Sequence, residues 1–121
     1  MAEFPAIDGV DTVRGLSSVG ANPKVYRRLL ELFCEQHGDD GLRLSNLLDA
    51  GRGADAARLI HRLRGSALIL GMLGISRDAA RIERELGEGA DAQAVPSTDA
   101  LRESLTSVVA AVRRTFPEPL R

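Results

Sequence analysis

Residues 54–71 read ADAARLIHRLRGSALILG. The apolar residues of this stretch recur at the three- and four-residue spacing that marks one face of an α-helix. At about 100° per residue, with His61 placed at zero, the core stripe falls on the opposite side of the helix. The stripe consists of Ala56, Leu59, Leu63 and Leu70, flanked by Ile60, Ser66 and Ala67. The pattern predicts one long helix that buries this stripe and turns His61 toward water.

The outward face of this helix carries two features that do not favour stability. Gly65 stands in mid-helix, where glycine costs about 1 kcal/mol relative to alanine. Leu68, with Ile69 to one side, offers apolar surface to solvent next to a histidine. A missing side chain beside apolar neighbours indicates a surface that another molecule approaches closely. Ala57, one turn before His61, extends this predicted partner interface.

The outward histidine also has nucleophilic chemistry. Neutral imidazole is available as a nucleophile near neutral pH. Arg64 lies within one turn of His61, and Arg58 and Arg62 lie beside it. Guanidinium groups match phosphoryl oxygens in geometry and charge. A phosphoryl group carried transiently on His61 fits all of these features, whereas a sulfate, a carboxylate or no ligand fits some of them.

Further helices are predicted on both sides of this stretch. The sequence indicates a short helix around 10–16, longer helices over 23–36, 39–50, 75–86 and about 98–115, and a loop over 87–96. Short links between amphipathic helices favour antiparallel neighbours. The expected fold is therefore all-α, an antiparallel up-down-up-down four-helix bundle over residues 21–116. A short capping helix is expected in the lead-in 1–20, and a frayed tail over 117–121.

The composition narrows the classes of function. The 121 residues include 17 acidic and 16 basic side chains, a net charge of -1, so no basic excess favours nucleic acid or an acidic membrane surface. No apolar run approaches the roughly 20 residues that cross a bilayer, and the N-terminus lacks the pattern of a signal peptide. Cys34 is the single cysteine, which excludes an internal disulfide. We expect a cytoplasmic monomer without direct membrane contact.

Residues 60–71 resemble the signature of the histidine-containing phosphotransfer (Hpt) domain of bacterial phosphorelays. The pattern is a histidine, a basic residue three positions later, Gly-Ser, then Leu-Gly, and farther on a hydrophobic residue followed by Glu83. Residues 6–8 and 26–33 also resemble the lead-in of such domains at the C-terminal end of hybrid sensor kinases. The resemblance extends over about residues 6–114, and a linker-like start fits a domain of a larger kinase.

The resemblance implies a role for each matching residue. His61 is the expected phosphoacceptor, Arg64 stabilises the phosphoryl group, and Gly65 is the gap through which a receiver domain's aspartyl phosphate reaches His61. The resemblance also places Glu83 on the adjacent helix. Arg58 and Arg62 extend the partner interface by their position on the helix beside His61. Arg64 replaces the lysine usual in the family, which keeps the charge but changes the reach. The Leu68-Ile69 pair replaces small or amide residues, so the interface is more apolar than usual.

The same resemblance implies a phosphoryl carrier and not an enzyme. Such a domain accepts a phosphoryl group from one response-regulator receiver domain and passes it to another. No Gly-rich phosphate loop or Walker motif is present, so ATP binding is not expected. The chain is expected to bind no cofactor, and the Mg²⁺ that phosphoryl transfer needs belongs to the receiver partner.

Several alternative interpretations remain open at this point. A helical interaction module that docks a receiver or kinase domain through Leu68, without carrying phosphate, explains the apolar patch. Cys34 and His37 stand three residues apart, but no second ligand pair follows, so no metal site is predicted. His37 is expected simply to complement a helix dipole. A solvated, internally paired face is expected for Arg77, Arg81, Glu83, Arg84 and Glu85.

Overall fold

The helices follow the predicted order along the chain. A computed structural model describes residues 4–89 and 97–118. Its helices are α1 (Thr12–Ser18), α2 (Pro23–His37), α3 (Asp40–Asp49), α4 (Gly53–Leu70), α5 (Leu73–Gly87) and α6 (Ser97–Thr115). The all-α fold is confirmed. Most of the predicted loop over 87–96 and the last three residues of the predicted tail lie outside the described residues.

Four of these helices form a closed ring. α3 packs on α4, α4 on α5, α5 on α6, and α6 back on α3. α2 packs on α4 and α6, and α1 packs on α4 and α2. The ring is compatible with the predicted four-helix bundle, with α2 as an additional helix against it. None of the helices within the described residues is long and apolar enough to span a membrane.

Side-chain contacts give the relative direction of α5 and α6. The Ser104 hydroxyl donates to Asp78 at 2.8 Å, and the Ser97 hydroxyl donates to Glu85 at 2.8 Å. Residue numbers therefore fall along α6 as they rise along α5, so the two helices are antiparallel. Short links of the kind that reverse the chain direction join α3 to α4 and α4 to α5.

The core of the bundle is aliphatic, as the composition predicts. Its largest completely buried aliphatic side chains are Leu30, Leu44, Ile60, Leu63, Met72, Ile75, Ile82 and Leu101. The predicted stripe on α4 is buried along its whole length, from Ala56 to Leu70. Burial of each large aliphatic side chain stabilises the fold by about 1.5–3 kcal/mol before entropy is counted. Packing on three sides thus fixes the rotation of α4, the helix that carries His61.

The C-terminal end of α4 is held by α1 and α2. Gly71 ends the helix with a φ of 84°, a conformation that favours glycine, and its carbonyl accepts the Asp11 N–H at 2.7 Å. Gly15 of α1 is buried where a side chain would collide with the Leu70 carbonyl and the Tyr26 ring. The Tyr26 hydroxyl donates to the Leu70 carbonyl at 2.7 Å. These contacts satisfy carbonyl groups that the end of α4 otherwise leaves without partners.

Tyr26 gives a test of this packing. Burial, with a smaller effect of the Asp11 carboxylate, raises the pKa of Tyr26 to about 12 from an ordinary 10.0. The chain has one tyrosine and no tryptophan, so tyrosinate absorbance reports Tyr26 alone. We expect a titration midpoint near pH 12 in the folded chain and near pH 10 in urea. A folded chain that retains its helical circular dichroism but titrates near pH 10 would contradict the packing.

The same shift links stability to alkaline pH. The folded state favours neutral Tyr26, so its contribution is complete below pH 10 and is lost as the pH rises toward 12. The free energy of unfolding should fall by about 2–3 kcal/mol across that window. Urea unfolding at a series of pH values measures it, and Tyr26→Phe should lack this part of the alkaline loss.

Candidate functional site

His61 lies midway along α4 and points away from the core. Its side chain is 75% exposed, in agreement with the outward position that the helical period predicts. The neighbouring turns contribute buried leucines on one side of the helix and solvent-facing residues on the other. The rigid packing of α4 thus presents a single imidazole at the surface of the bundle.

Glu83 of α5 joins His61 to Arg64. One carboxylate oxygen, Oε1, lies 2.7 Å from Nδ1 of His61, and the other, Oε2, accepts a hydrogen bond of 2.8 Å from Nη1 of Arg64. An ionised carboxylate only accepts hydrogen bonds, so Nδ1 carries the proton in this contact. In the neutral ring the lone pair then lies on Nε2. The arrangement orients the imidazole and leaves its basic nitrogen directed away from Glu83.

The interpretation of Glu83 and Glu85 as members of an internally paired face of α5 is wrong. Glu83 reaches α4, and Glu85 accepts a hydrogen bond from Ser97 of α6. Both carboxylates bind residues of neighbouring helices because α5 packs between α4 and α6. The hydrophobic-then-glutamate pattern placed Glu83 on an adjacent helix, but the sequence alone gave no sign that it contacts His61.

The arginines near His61 differ in their partners. The Arg64 guanidinium is bound to Glu83, with 42% of its side chain exposed. Asp55 bridges Arg52, at 2.6 Å, and Arg58. Hydrogen bonds from Arg58 and then Arg52 lower the pKa of Asp55, so this carboxylate is ionised at neutral pH. Sequence reasoning missed Arg52 and Asp55, although Asp55 stands three residues from each of the two arginines.

A broad open groove of about 690 Å³ runs beside His61. Its lining residues are Leu47, Arg52, Asp55, Ala57, Arg58, Leu59, His61, Arg62 and Glu83. The structure therefore brings the predicted residues Ala57, Arg58 and Arg62 to the same groove as His61. Its lining combines cationic, acidic and apolar side chains.

Gly65, Leu68 and Ile69 form the other side of the site. Apart from its chain neighbours and its own helix backbone, a Cβ atom built on Gly65 has no neighbour within 4 Å in the described part of the chain. Leu68 is 43% exposed and Ile69 is 54% exposed. Ile69 also lines an apolar groove between α4 and α2, opposite Leu29. The fold itself does not require glycine at position 65, and the neighbouring apolar surface is open to a partner.

His37 and Cys34 lie outside the groove beside His61, although His37 lines the apolar groove that Ile69 also lines. The His37 ring packs on Phe33 with centroids 5.0 Å apart, and its Nδ1 lies 2.7 Å from the buried carboxylate of Asp40. His37 therefore ties the end of α2 to the start of α3, which is more than complementing a helix dipole. Burial raises the pKa of the Cys34 thiol. No cluster of three or more His, Cys, Asp or Glu side chains suited to a metal occurs within residues 4–89 and 97–118.

Comparison with known protein families found a match for this chain. A family model described as Hpt domain matches residues 28–115. The match runs from the second turn of α2 to the last residue of α6, so it includes His61, Glu83 and the groove beside them. Comparison with curated proteins and comparison with solved structures found no match.

Proposed function

Because this chain belongs to the Hpt domain family, we propose that it is a phosphorelay intermediate with His61 as its phosphoacceptor. Hpt domains take part in phosphotransfer in two-component systems, interact with response-regulator receiver domains, and act as phosphoryl carriers and not as classical enzymes. The specific proposal is that His61 accepts a phosphoryl group from the aspartyl phosphate of one receiver and passes it to another. We also propose that the chain acts as a monomer in the cytoplasm.

One observation carries this proposal: an exposed imidazole whose Nδ1 is held by a carboxylate. The 2.7 Å contact with Glu83 keeps the proton on Nδ1 and the lone pair on Nε2. A nucleophile whose tautomer and orientation are set before the partner arrives lowers the barrier for transfer. A histidine that is merely solvated on a helix has no such partner on a neighbouring helix.

The proposed transfer step uses few groups of this chain. The Nε2 lone pair of His61 attacks the phosphorus, an N–P bond forms, and the P–O bond to the receiver's aspartate breaks. The aspartate leaves as a carboxylate with that electron pair. The proton on Nδ1 stays on the ring, where Glu83 stabilises the positive charge that the ring acquires. Mg²⁺ belongs to the receiver in this proposal, and the reverse of the step passes the group to the acceptor receiver.

Arg64 is proposed to steady the phosphoryl group. Its guanidinium is anchored by Glu83 at 2.8 Å yet remains part exposed, so its other N–H groups can reach a phosphoryl oxygen. Gly65 is proposed as the gap for the approach of the receiver, and Leu68, Ile69 and Ala57 as its apolar contact surface.

The direct experiment measures uptake of label by the wild-type chain. Receiver domains from the source genome are phosphorylated with labelled acetyl phosphate, mixed with the chain, and removed. We expect an acid-labile, base-stable label that mass spectrometry locates at His61, and label that then moves to a second receiver. Uptake of no label from any receiver would refute the proposed function.

The replacement Arg64→Ala tests the role of the guanidinium. We expect transfer to slow by about tenfold, or about 1.4 kcal/mol of transition-state stabilisation. Arg64→Lys, which keeps the charge, should recover most of the rate. The measurements are the initial rate of transfer and the half-life of isolated phosphohistidine. Wild-type values of both in Arg64→Ala would remove Arg64 from the site.

A second candidate function rests on the exposure of Leu68 and Ile69. A module that docks a receiver or kinase domain without carrying phosphate needs this apolar surface but not the imidazole. Under that alternative, Leu68→Asp abolishes binding while His61→Gln leaves signalling intact. Under the phosphorelay proposal, His61→Gln abolishes signalling even where binding persists.

A further inference from the structure

We propose that the arginines beside His61, Arg52, Arg58 and Arg62, form a rim that receives the acidic surface of the receiver, and that Asp55 sets the charge of this rim. The inference rests on the proposed function and specifies how that partner is recognised. The rim is defined by these three arginines, which line one groove together with His61.

The distribution of charge along the chain supports a specialised surface. The residues that line the groove include three arginines and two carboxylates, a net charge of +1 with His61 counted as neutral, whereas the chain as a whole carries -1. The rest of the chain therefore carries -2. A positive surface on an otherwise acidic domain guides a negatively charged partner to one face. Since the groove includes His61, the guided partner arrives at the nucleophile.

The acidic residues of the groove are already bound by cations. Glu83 binds His61 and Arg64, and Asp55 binds Arg52 and Arg58. Arg52 and Arg58 nevertheless keep 61% and 69% of their side chains exposed. Each guanidinium has five N–H donors, so one ion pair leaves donors for a partner's carboxylates. The rim can therefore bind a partner without breaking its own contacts.

A receiver domain fits this rim better than other negatively charged partners do. In the proposed transfer, the receiver presents an aspartyl phosphate, so the partner brings negative charge to His61 itself. The exposed Leu68 and Ile69 lie on the other side of His61. A partner that presents negative charge next to an apolar surface fits both the arginine rim and the exposed Leu68 and Ile69. A nucleic acid fits only the arginines.

Asp55 reduces the positive charge of the rim. It lies between Arg52 and Arg58 and is partly exposed. Ion pairs between exposed side chains are weak, so loss of Asp55 should disturb the arginines less than it raises the local charge. Asp55→Asn is therefore expected to speed transfer from an acidic receiver, and a purely structural role for Asp55 predicts no gain.

The test compares rates of transfer from the phosphorylated receiver that labels the wild-type chain fastest. We expect the double variant Arg58→Glu/Arg62→Glu to lose at least about tenfold in rate, and Asp55→Asn to gain about twofold to fivefold at low salt. Both differences should shrink when NaCl is raised from about 50 to about 300 mM. The matched control, Arg77→Glu/Arg102→Glu, makes the same charge change at exposed positions outside the groove.

A neutral acylating reagent separates docking from nucleophilicity. Modification of His61 by diethyl pyrocarbonate, followed by peptide mass spectrometry, is measured at a pH well above the ordinary pKa of imidazole, where the ring is neutral in every variant, and should proceed at the wild-type rate in the rim variants, since the reagent carries no charge. Slow modification of His61 in those variants would assign their defect to the imidazole and overturn the docking role. Circular dichroism establishes that each variant is folded.

The outcomes distinguish this inference from the proposed function. If no receiver labels the wild-type chain, the proposed function fails. If the wild-type chain is labelled but the rim variants match it, or the control double variant is equally slow, the rim is not the docking surface. Slower transfer in Asp55→Asn would overturn the charge-setting role. Tight binding of duplex DNA at physiological salt, with transfer indifferent to rim charge, would assign the rim to nucleic acid.

Discussion

Replacement of His61 by glutamine is expected to abolish phosphoryl uptake from a phosphorylated receiver, with a loss of at least about 10³-fold. Such a loss corresponds to about 4 kcal/mol of transition-state stabilisation. The glutamine amide keeps a polar group near Glu83 but has no nucleophilic lone pair comparable to that of Nε2. Because 75% of the His61 side chain is exposed, the free energy of unfolding should change by only about 0.5 kcal/mol.

The matched control for this variant is His37→Gln. His37 is the other histidine of the chain, and its Nδ1 is also held by a carboxylate, that of Asp40. It lies at the bend between α2 and α3 and not in the groove beside His61. We expect His37→Gln to take up label like the wild type while unfolding at a lower urea concentration. Equal labelling of His61→Gln and the wild-type chain would refute the role of His61.

Gly65→Leu is expected to make the chain more stable and much less active. Apart from its own helix backbone and chain neighbours, the Cβ position at Gly65 has no described atom within 4 Å, so a side chain can begin there without strain. Glycine in a helix interior costs about 1 kcal/mol relative to alanine, and leucine is nearly as favourable as alanine. We therefore expect the free energy of unfolding to rise by about 0.5–1 kcal/mol.

Transfer should fall at the same time, because the new side chain lies one turn from His61 where the receiver must approach. We expect a rate loss of about 10²-fold, since a misplacement of about 1 Å at a reacting centre has an effect of this size. Gly65→Ala should be intermediate. The measurements are urea unfolding and the initial rate of label transfer from the receiver.

Gly74→Leu is the matched control for this trade-off. Gly74 also lies in a helix, α5, with open space at its Cβ position, but it lines a different groove from His61. The control should leave transfer unchanged. If Gly65→Leu transferred phosphate at the wild-type rate, Gly65 would have no role as an access gap.

Much of the fold follows from local patterns in the sequence. The three- and four-residue spacing from Ala56 to Leu70 predicted both the α4 helix and its buried face, because a regular helix places each residue at a fixed angle from the last. The start of α2 was equally clear: the Asn22 side chain accepts the N–H groups of Lys24 and Val25, and Pro23 follows the cap. Such signals depend only on residues within a few positions of one another.

The contacts of the site depend on longer distances along the chain. Glu83 stands 22 residues from His61 and 19 from Arg64, and an isolated α5 presents it as one more charged residue on a solvated face. The contact of His37 likewise depends on the bend between α2 and α3, which places the Asp40 carboxylate at its ring. Helical periodicity gives the face on which a residue lies but not the residue that faces it from another helix.

The helices, the buried face of α4, and the outward position of His61 with Gly65 and Leu68 near it therefore follow from local sequence patterns. The contacts of one carboxylate, Glu83, with both the imidazole and the Arg64 guanidinium depend on how the helices pack together. The physical reason is that the rotation of α5 against α4 results from packing of the whole core, to which residues such as Ile75 and Ile82 contribute together. No short stretch of sequence specifies this rotation, because it depends on side chains from all of the packed helices.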